Sequence, residues 1–346
     1  MVRYNRFMVG LVLQGKYIIL MAQSRINKSD LWYDRSNNIE AETSNDSIFN
    51  IYPPTYGSKA SFSSNVIKMD YEDSLFSYKP RGINSMVANF VLVYKYNKET
   101  IQKIIKFLED TKGVVSFYID AEYTSSNEDK IYNSLSGYCD GYSVIHRTNN
   151  DYQLTIKFSI EEEANLFNWR SLNFLNYQAQ DWQTNKEYKK NDVVYFAGNN
   201  KKITNYYYCT SDHISEGSKD PKSWYSNWDQ DFHWCPDSLW QNEVEFKIEK
   251  LGRFYSTRMQ KGKNSAVFPI IYEFSSIDTK QLKSMLHFLE SHGGYMRFPH
   301  NVPSLYNLPK VLIATEWSHK WNGKNSHNLS VSMIEDPLGV LPNKNY

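Results

Sequence analysis

Cysteine is scarce in this chain. The three present, Cys139, Cys209 and Cys235, are too few for a disulfide framework and leave one thiol over in any pairing. A fold stapled by disulfides is excluded, and folding in a reducing cytoplasm fits. An excess of one charge is lacking as well, since 39 Lys and Arg stand against 38 Asp and Glu. Without such a field, neither nucleic acid nor an anionic membrane surface is an expected partner. Long hydrophobic runs are also missing. The apolar stretch from Gly10 to Ala22 is broken by Gln14, Gly15 and Lys16, so neither an export signal nor a membrane span is expected. The familiar catalytic devices are absent too: no Gly-rich phosphate loop, no Gly-x-Ser-x-Gly elbow and no His-Glu-x-x-His pair. The expectation is a non-enzyme with no catalytic residues, no metal and no cofactor. The acidic run Glu161-Glu162-Glu163 suits a solvated strand end better than an acid/base pair.

What the chain does have is aromatic residues, at 16% of the total with 27 tyrosines and 9 tryptophans. Cores alone rarely need so many, so some are expected at interfaces or binding faces. The length suffices for two or three domains. Residues 1–55 read as an N-terminal arm, of which the first twenty are expected to be loose until a neighbour orders them.

The remaining sequence contains itself twice. Gly82-Ile83-Asn84-Ser85 opens an apolar run from Met86 to Tyr94, then a helical pattern through Phe107-Leu108-Glu109, Gly113, and an apolar stretch from Val114 to Ile119. Gly262-Lys263-Asn264-Ser265 opens the same order: a run from Ala266 to Phe274, a helix through Phe288-Leu289-Glu290, Gly293-Gly294, then Tyr295 to Phe298. In the first helix Ile101, Ile104, Ile105 and Leu108 fall at i, i+3, i+4 and i+7, and in the second Leu282, Met285, Leu286 and Leu289 do the same. Each spacing predicts one apolar stripe packed on a sheet. Asn97 and Asp278 are placed to cap the first turns, and Gly113 and Gly293 to end the helices in a left-handed residue.

A second β section follows each helix. Tyr142 to Arg147 and Tyr152 to Ile160 flank the polar turn Thr148 to Asp151, and Leu312 to Trp321 and Asn328 to Ile334 flank Asn322-Gly323, a strong hairpin signal. Pro269 inside a strand predicts a sheet edge. The fold class expected is α+β, mostly β: two tandem split β-barrel or sandwich domains with one helix each, plus a small all-β inserted module. The expected boundaries are 56–168 for the first repeat, 169–243 for the module and 244–346 for the second repeat.

The order strand, Phe-Leu-Glu helix end, glycine, aromatic strand, then a hairpin closing on Phe158-Ser159-Ile160-Glu161-Glu162 or Val331-Ser332-Met333-Ile334-Glu335, resembles the minor tail protein M family of lambda-like phages. That family is itself similar to distal tail proteins and tail-tube subunits. The resemblance covers about residues 60–165 and 244–337, well over half the chain. It departs from the family in carrying two copies on one chain with a foreign segment between them. The resemblance implies a structural, ring-forming role in a phage tail tip or baseplate. It further implies a homo-oligomeric ring of three or six chains, other tail and baseplate proteins as partners, and location in the virion after assembly in the host cytoplasm.

Between the copies the composition changes, with six of the nine tryptophans falling between Trp169 and Trp240. Trp182-x5-Tyr188-x3-Asp192-Val193-Val194-Tyr195, followed by Tyr206-Tyr207-Tyr208-Cys209 and Pro221-x2-Trp224, resembles the small chitin-binding-type carbohydrate-binding modules. Such a module stacks exposed rings on the apolar faces of sugars. The resemblance makes Trp182, Tyr188, Tyr195, Tyr207 and Trp224 candidate contacts to a host surface glycan. Trp182, Tyr188, Tyr195 and Trp224 would also serve as the miniature core of so small a domain. Where those modules carry paired tryptophans, this chain has Cys209-Thr210-Ser211-Asp212-His213. Cys209 and His213 with His233 and Cys235 offer the ligand types of a tetrahedral zinc site at a spacing that matches no common zinc motif. The alternative to a structural tail protein is a receptor-binding tail adhesin in which the repeats only present the module.

Overall fold

The computed structural model describes residues 9–13, 16–20, 52–70, 76–81, 86–114, 117–119, 130–132, 135–148, 150–160, 175, 177, 179–197, 205–217, 220–222, 226–241, 246–250, 256–260, 269–301 and 309–336. The Gly-x-Asn-Ser openings of both repeats, the acidic run at 161–163 and the candidate Trp224 lie outside the described residues. The chain is α+β and mostly β, with two helices among the described residues.

The apolar stretch near the N-terminus, read as part of a loose arm, forms an antiparallel hairpin of β1 (Val9–Leu13) and β2 (Lys16–Leu20). Next come β3 (Lys59–Ser64), β4 (Val66–Asp70), β5 (Phe76–Pro80), β6 (Met86–Asn97), helix α1 (Lys98–Thr111), β7 (Phe117–Ile119), β8 (Leu135–His146) and β9 (Asp151–Ile160). The middle segment holds the short strands β10 (Gln180–Asp181), β11 (Glu187–Tyr188), β12 (Val193–Tyr195), β13 (Tyr206–Cys209), β14 (His213–Ile214) and β15 (Trp228–Asp229). The chain continues with β16 (Ser238–Gln241), β17 (Phe246–Lys250), β18 (Ser256–Gln260), β19 (Pro269–Ile277), helix α2 (Thr279–His292), β20 (Phe298–Asn301), β21 (Pro309–Gly323) and β22 (Ser326–Glu335).

One pairing scheme is drawn twice. The first unit pairs as β3-β6-β9-β8-β7 and the second as β16-β19-β22-β21-β20, each with a separate hairpin between its first two strands, β4 with β5 and β17 with β18. The registers correspond residue by residue. Ala60 pairs Phe90, Phe90 pairs Phe158 and Phe158 pairs Cys139; in the second unit Gln241 pairs Ile270, Ile270 pairs Met333 and Met333 pairs Ala314. Even the irregularity recurs, a bulge between Cys139 and Gly141 in β8 and between Ala314 and Glu316 in β21. The two units are joined edge to edge, because β3 of the first pairs antiparallel with β21 of the second, making one ten-stranded sheet.

Alternation along the strands fixes this register. Leu154, Ile156 and Phe158 on β9, like Leu329, Val331 and Met333 on β22, turn inward and are buried. Each such side chain gives about 1.5–3 kcal/mol on leaving water, and a slip by one residue would face them all outward. At the join Trp317 stacks on Phe62 with ring centroids 5.8 Å apart, and the Tyr132 hydroxyl lies 3.2 Å from His319 Nδ1. The buried core runs without a break from one unit to the other.

The helices start where their caps predict. Asn97 accepts from the Thr100 amide at 3.0 Å and Asp278 from the Gln281 amide at 2.7 Å, each satisfying a first-turn donor that lacks a helical partner. Asn97→Ala and Asp278→Ala should each cost about 1 kcal/mol in chemical unfolding, with the rest of the fold intact. At the far ends the two differ. Gly293, at φ 59°, ends α2 as expected, but in α1 Lys112 takes the left-handed position at φ 52° and Gly113 follows it at φ 67°.

Three further expectations are corrected. The second hairpin turns on Lys324 and Asn325, not Asn322-Gly323, because register follows the inward positions Trp317, His319 and Trp321, which pair with Val331, Leu329 and His327. Pro269 marks no sheet edge, since β19 is paired on both sides and the proline is its first residue. The second unit also begins before the expected boundary at 244, since β16 already pairs with β19.

Candidate functional site

The middle segment is built on two-residue alternation, and its two faces go to different cores. On β13, Tyr207 and Cys209 turn toward Tyr188, Val194 and Trp228, a small cluster closed by the partly buried Trp182 and Phe196. Tyr206 and Tyr208 turn the other way, onto α2. The Tyr206 ring sits edge-on to His287 at 4.5 Å, and the Tyr208 hydroxyl lies 3.1 Å from His287 Nδ1. On β12 the same rule sends Val194 to the small cluster and Val193 and Tyr195 to the large core. Phe232 and Trp234 extend this contact, reaching Phe288 at 5.4 and 5.9 Å. At the rim Lys280 pairs with Asp192 at 2.9 Å, an exposed bridge worth at most about 1 kcal/mol.

This docking explains α2. Its sequence predicts one apolar stripe, yet every residue from Leu282 to Phe288, with Leu289, is buried, Lys283, Ser284 and His287 among them. The sheet covers one side and the inserted segment another. Helix α1, with no such cover among the described residues, buries Ile101, Ile104, Phe107, Leu108 and Thr111. The pairing of Tyr208 with His287 carried no signal of its own in the sequence, because a histidine on the polar face of a helix reads as solvated.

The candidate glycan contacts are placed accordingly. Tyr188, Tyr195 and Tyr207 are 2%, 6% and 2% exposed, so in the folded chain none offers a ring face to a sugar. Tyr188 is held further by its hydroxyl, which accepts from the Gln183 amide at 2.8 Å. Trp182 is half-buried against the small cluster and edge-on to Phe196 at 5.5 Å. In the turn before β12 the Asp192 carboxylate accepts from the Lys189 amide at 2.7 Å.

The thiols and imidazoles of the segment do not converge on one point: among the described residues no three of His, Cys, Asp and Glu gather as a metal site would require. Cys209 Sγ donates to the Ser211 carbonyl at 3.1 Å and lies 3.5 Å from His213 Nδ1. Burial pushes its thiol up to about 12, so it is held protonated. No described helix is long and apolar enough to cross a membrane.

A second surface lies at the far end of the long sheet. Tyr142, Val144 and Ile145 on β8 are 40%, 41% and 54% exposed, a cluster of large apolar side chains on one strand. Sequence reading placed this strand but could not say which of its margins lacks a neighbour among the described residues. Comparison with known protein families and with curated proteins finds no match to this chain.

Proposed function

We propose that this chain is a structural component of a bacteriophage tail tip or baseplate, built from two tail-tube-like split-barrel units in tandem and acting as a ring of three or six chains. In this reading it links the tube to peripheral parts and works by holding neighbours in place. One observation carries it: β3 of the first unit already pairs with β21 of the second, so the unit joins its like through strand margins. A protein made of such units has margins left over, and a closed ring satisfies them. The aromatic segment supports a structural role over a glycan-binding adhesin, because Tyr206, Tyr208, Phe232 and Trp234 are spent on the core of the second unit. Partners would be other tail and baseplate proteins, with assembly in the host cytoplasm.

Antibody labelling of intact phage particles, with averaged micrographs of the purified chain, tests this. Label at the tail end and three-fold or six-fold rings are expected. Particles that carry no label would overturn the reading.

A further inference from the structure

The two units are equivalent in register, yet their corresponding margins are not equally occupied. On the margin of β21 away from β22, residues 309–312 hold β20 and residues 316–320 hold β3. On the same margin of β8, residues 135–137 hold β7, and among the described residues no strand pairs with 141–145. The shared bulge aligns the two strands, so that Tyr142 corresponds to Trp317, Val144 to His319 and Ile145 to Lys320. Trp317 and His319, covered by β3, are 2% and 0% exposed, whereas Tyr142 and Val144 are 40% and 41% exposed. Where the covered strand turns a lysine outward, the open one turns Ile145, 54% exposed. Natural open margins are usually guarded by lysine, proline or a twist, and this one carries an isoleucine instead.

The complementary margin is present at the other end of the sheet. Strand β16 pairs with β19 on one side and ends the described sheet on the other. It corresponds to β3, with Trp240 at the place of Lys59 and Gln241 at that of Ala60, because Trp240 pairs Ile271 where Lys59 pairs Val91.

We infer that a second copy of this chain adds its β16 margin to the open β8 margin, repeating between chains the junction that β3 and β21 make within each chain. Within the chain Lys320 faces Lys59 and His319 faces Ala60. Between chains Ile145 then faces Trp240 of the second copy, and Val144 faces its Gln241. The contact is head to tail: each copy offers one margin of each kind, so association continues until a ring closes. The choice of a second copy as occupant rests on the ring-forming reading above, while the register rests on the internal junction alone.

Cysteine cross-linking tests it. In a Cys235→Ser background, which removes the one exposed native thiol, the pair Ile145→Cys with Trp240→Cys should give on mild oxidation a ladder of dimers, trimers and larger species on a denaturing gel. Either substitution alone should leave the chain monomeric there. Separately, Val144→Lys with Ile145→Lys alters only exposed positions, so the fold should survive while self-association, read by light scattering, falls at least tenfold. Equal cross-linking in the single variants, or self-association unchanged by the two lysines, would overturn the inference. A ladder from a chain missing from phage particles would sink the tail reading and spare this contact. Labelled particles without a ladder would do the reverse.

Discussion

Phe288→Ala is expected to be the most damaging single change in the described core, lowering stability by about 4–5 kcal/mol, the upper part of the range for a buried phenylalanine reduced to alanine. Phe288 is fully buried on α2, with ring centroids 5.4 Å from Phe232, 5.5 Å from Tyr208, 5.0 Å from Phe298 and 4.2 Å from His292. Two of these partners come from the inserted segment and two from the second unit, so the cavity would open at their seam. Neither side can collapse into the space without moving the other. Phe107 holds the corresponding place in the first unit, where no segment among the described residues docks over α1; one of its ring neighbours is Phe117 at 5.2 Å. Phe107→Ala should therefore cost about 3 kcal/mol, the lower end of the same range. Urea unfolding followed by tryptophan fluorescence compares them. Equal losses from the two substitutions would mean that the docked segment adds nothing to the packing of α2.

The difference between these equivalent phenylalanines marks what the sequence could convey. Helix positions, caps and the repeat itself were legible, because period 3.6 in Ile101, Ile104 and Leu108, or in Leu282, Met285 and Leu289, depends only on near neighbours along the chain. Strand register was half legible. Asn322-Gly323 is a strong local turn signal, yet the chain turns two residues later, since burying Trp317, His319 and Trp321 together outweighs a favourable turn pair. What could not be read was the destination of each aromatic face. The four residues of β13 are all buried, but alternate ones serve different cores, and no periodicity distinguishes a ring packed on its own module from one packed on a helix far along the chain. The candidate sugar contacts failed for that reason. Tyr188 and Tyr207 pack in the small cluster and Tyr195 in the large core, so what removes them from solvent is protein.

The same burial predicts that acid destabilises the chain. Of its eight histidines, His287, His292, His300, His319 and His327 are buried, and the partly buried His233 is stacked on Trp234 at 4.1 Å. Desolvation is the first cause of depression in all six: His233, His292 and His327 fall to about 4 and His287 to about 3, while His300 and His319 are lowered as well. Geometry gives the reason in the chain from Tyr132 through His319 and His327 to Thr279, where His319 Nε2 meets His327 Nδ1 at 3.0 Å and His327 Nε2 meets Thr279 Oγ1 at 3.0 Å. Two facing imidazoles share one proton well and tolerate a second charge badly.

A histidine depressed in the folded state takes up its proton more readily when unfolded. Its contribution is complete above pH 6.5 and is lost as pH falls from 6.5 toward about 4. At about 1.4 kcal/mol per unit, each of the three groups that fall to about 4 puts on the order of 3 kcal/mol at risk. Partly buried Glu290 works in the opposite sense, since desolvation raises its carboxyl and lets the folded chain hold a proton that the unfolded chain releases. The several histidines outnumber the one carboxyl, so the net expectation is a loss of stability between pH 6.5 and 4 on the order of what holds an ordinary domain folded. Urea midpoints across that range measure it, and His327→Gln should reduce the pH slope by close to one proton and relax the facing His319, while the other histidines keep theirs. Stability that stays level down to pH 4 would show that these imidazoles are charged or solvated in the folded chain, and the buried Tyr132–His319–His327 link between the two units would have to be abandoned.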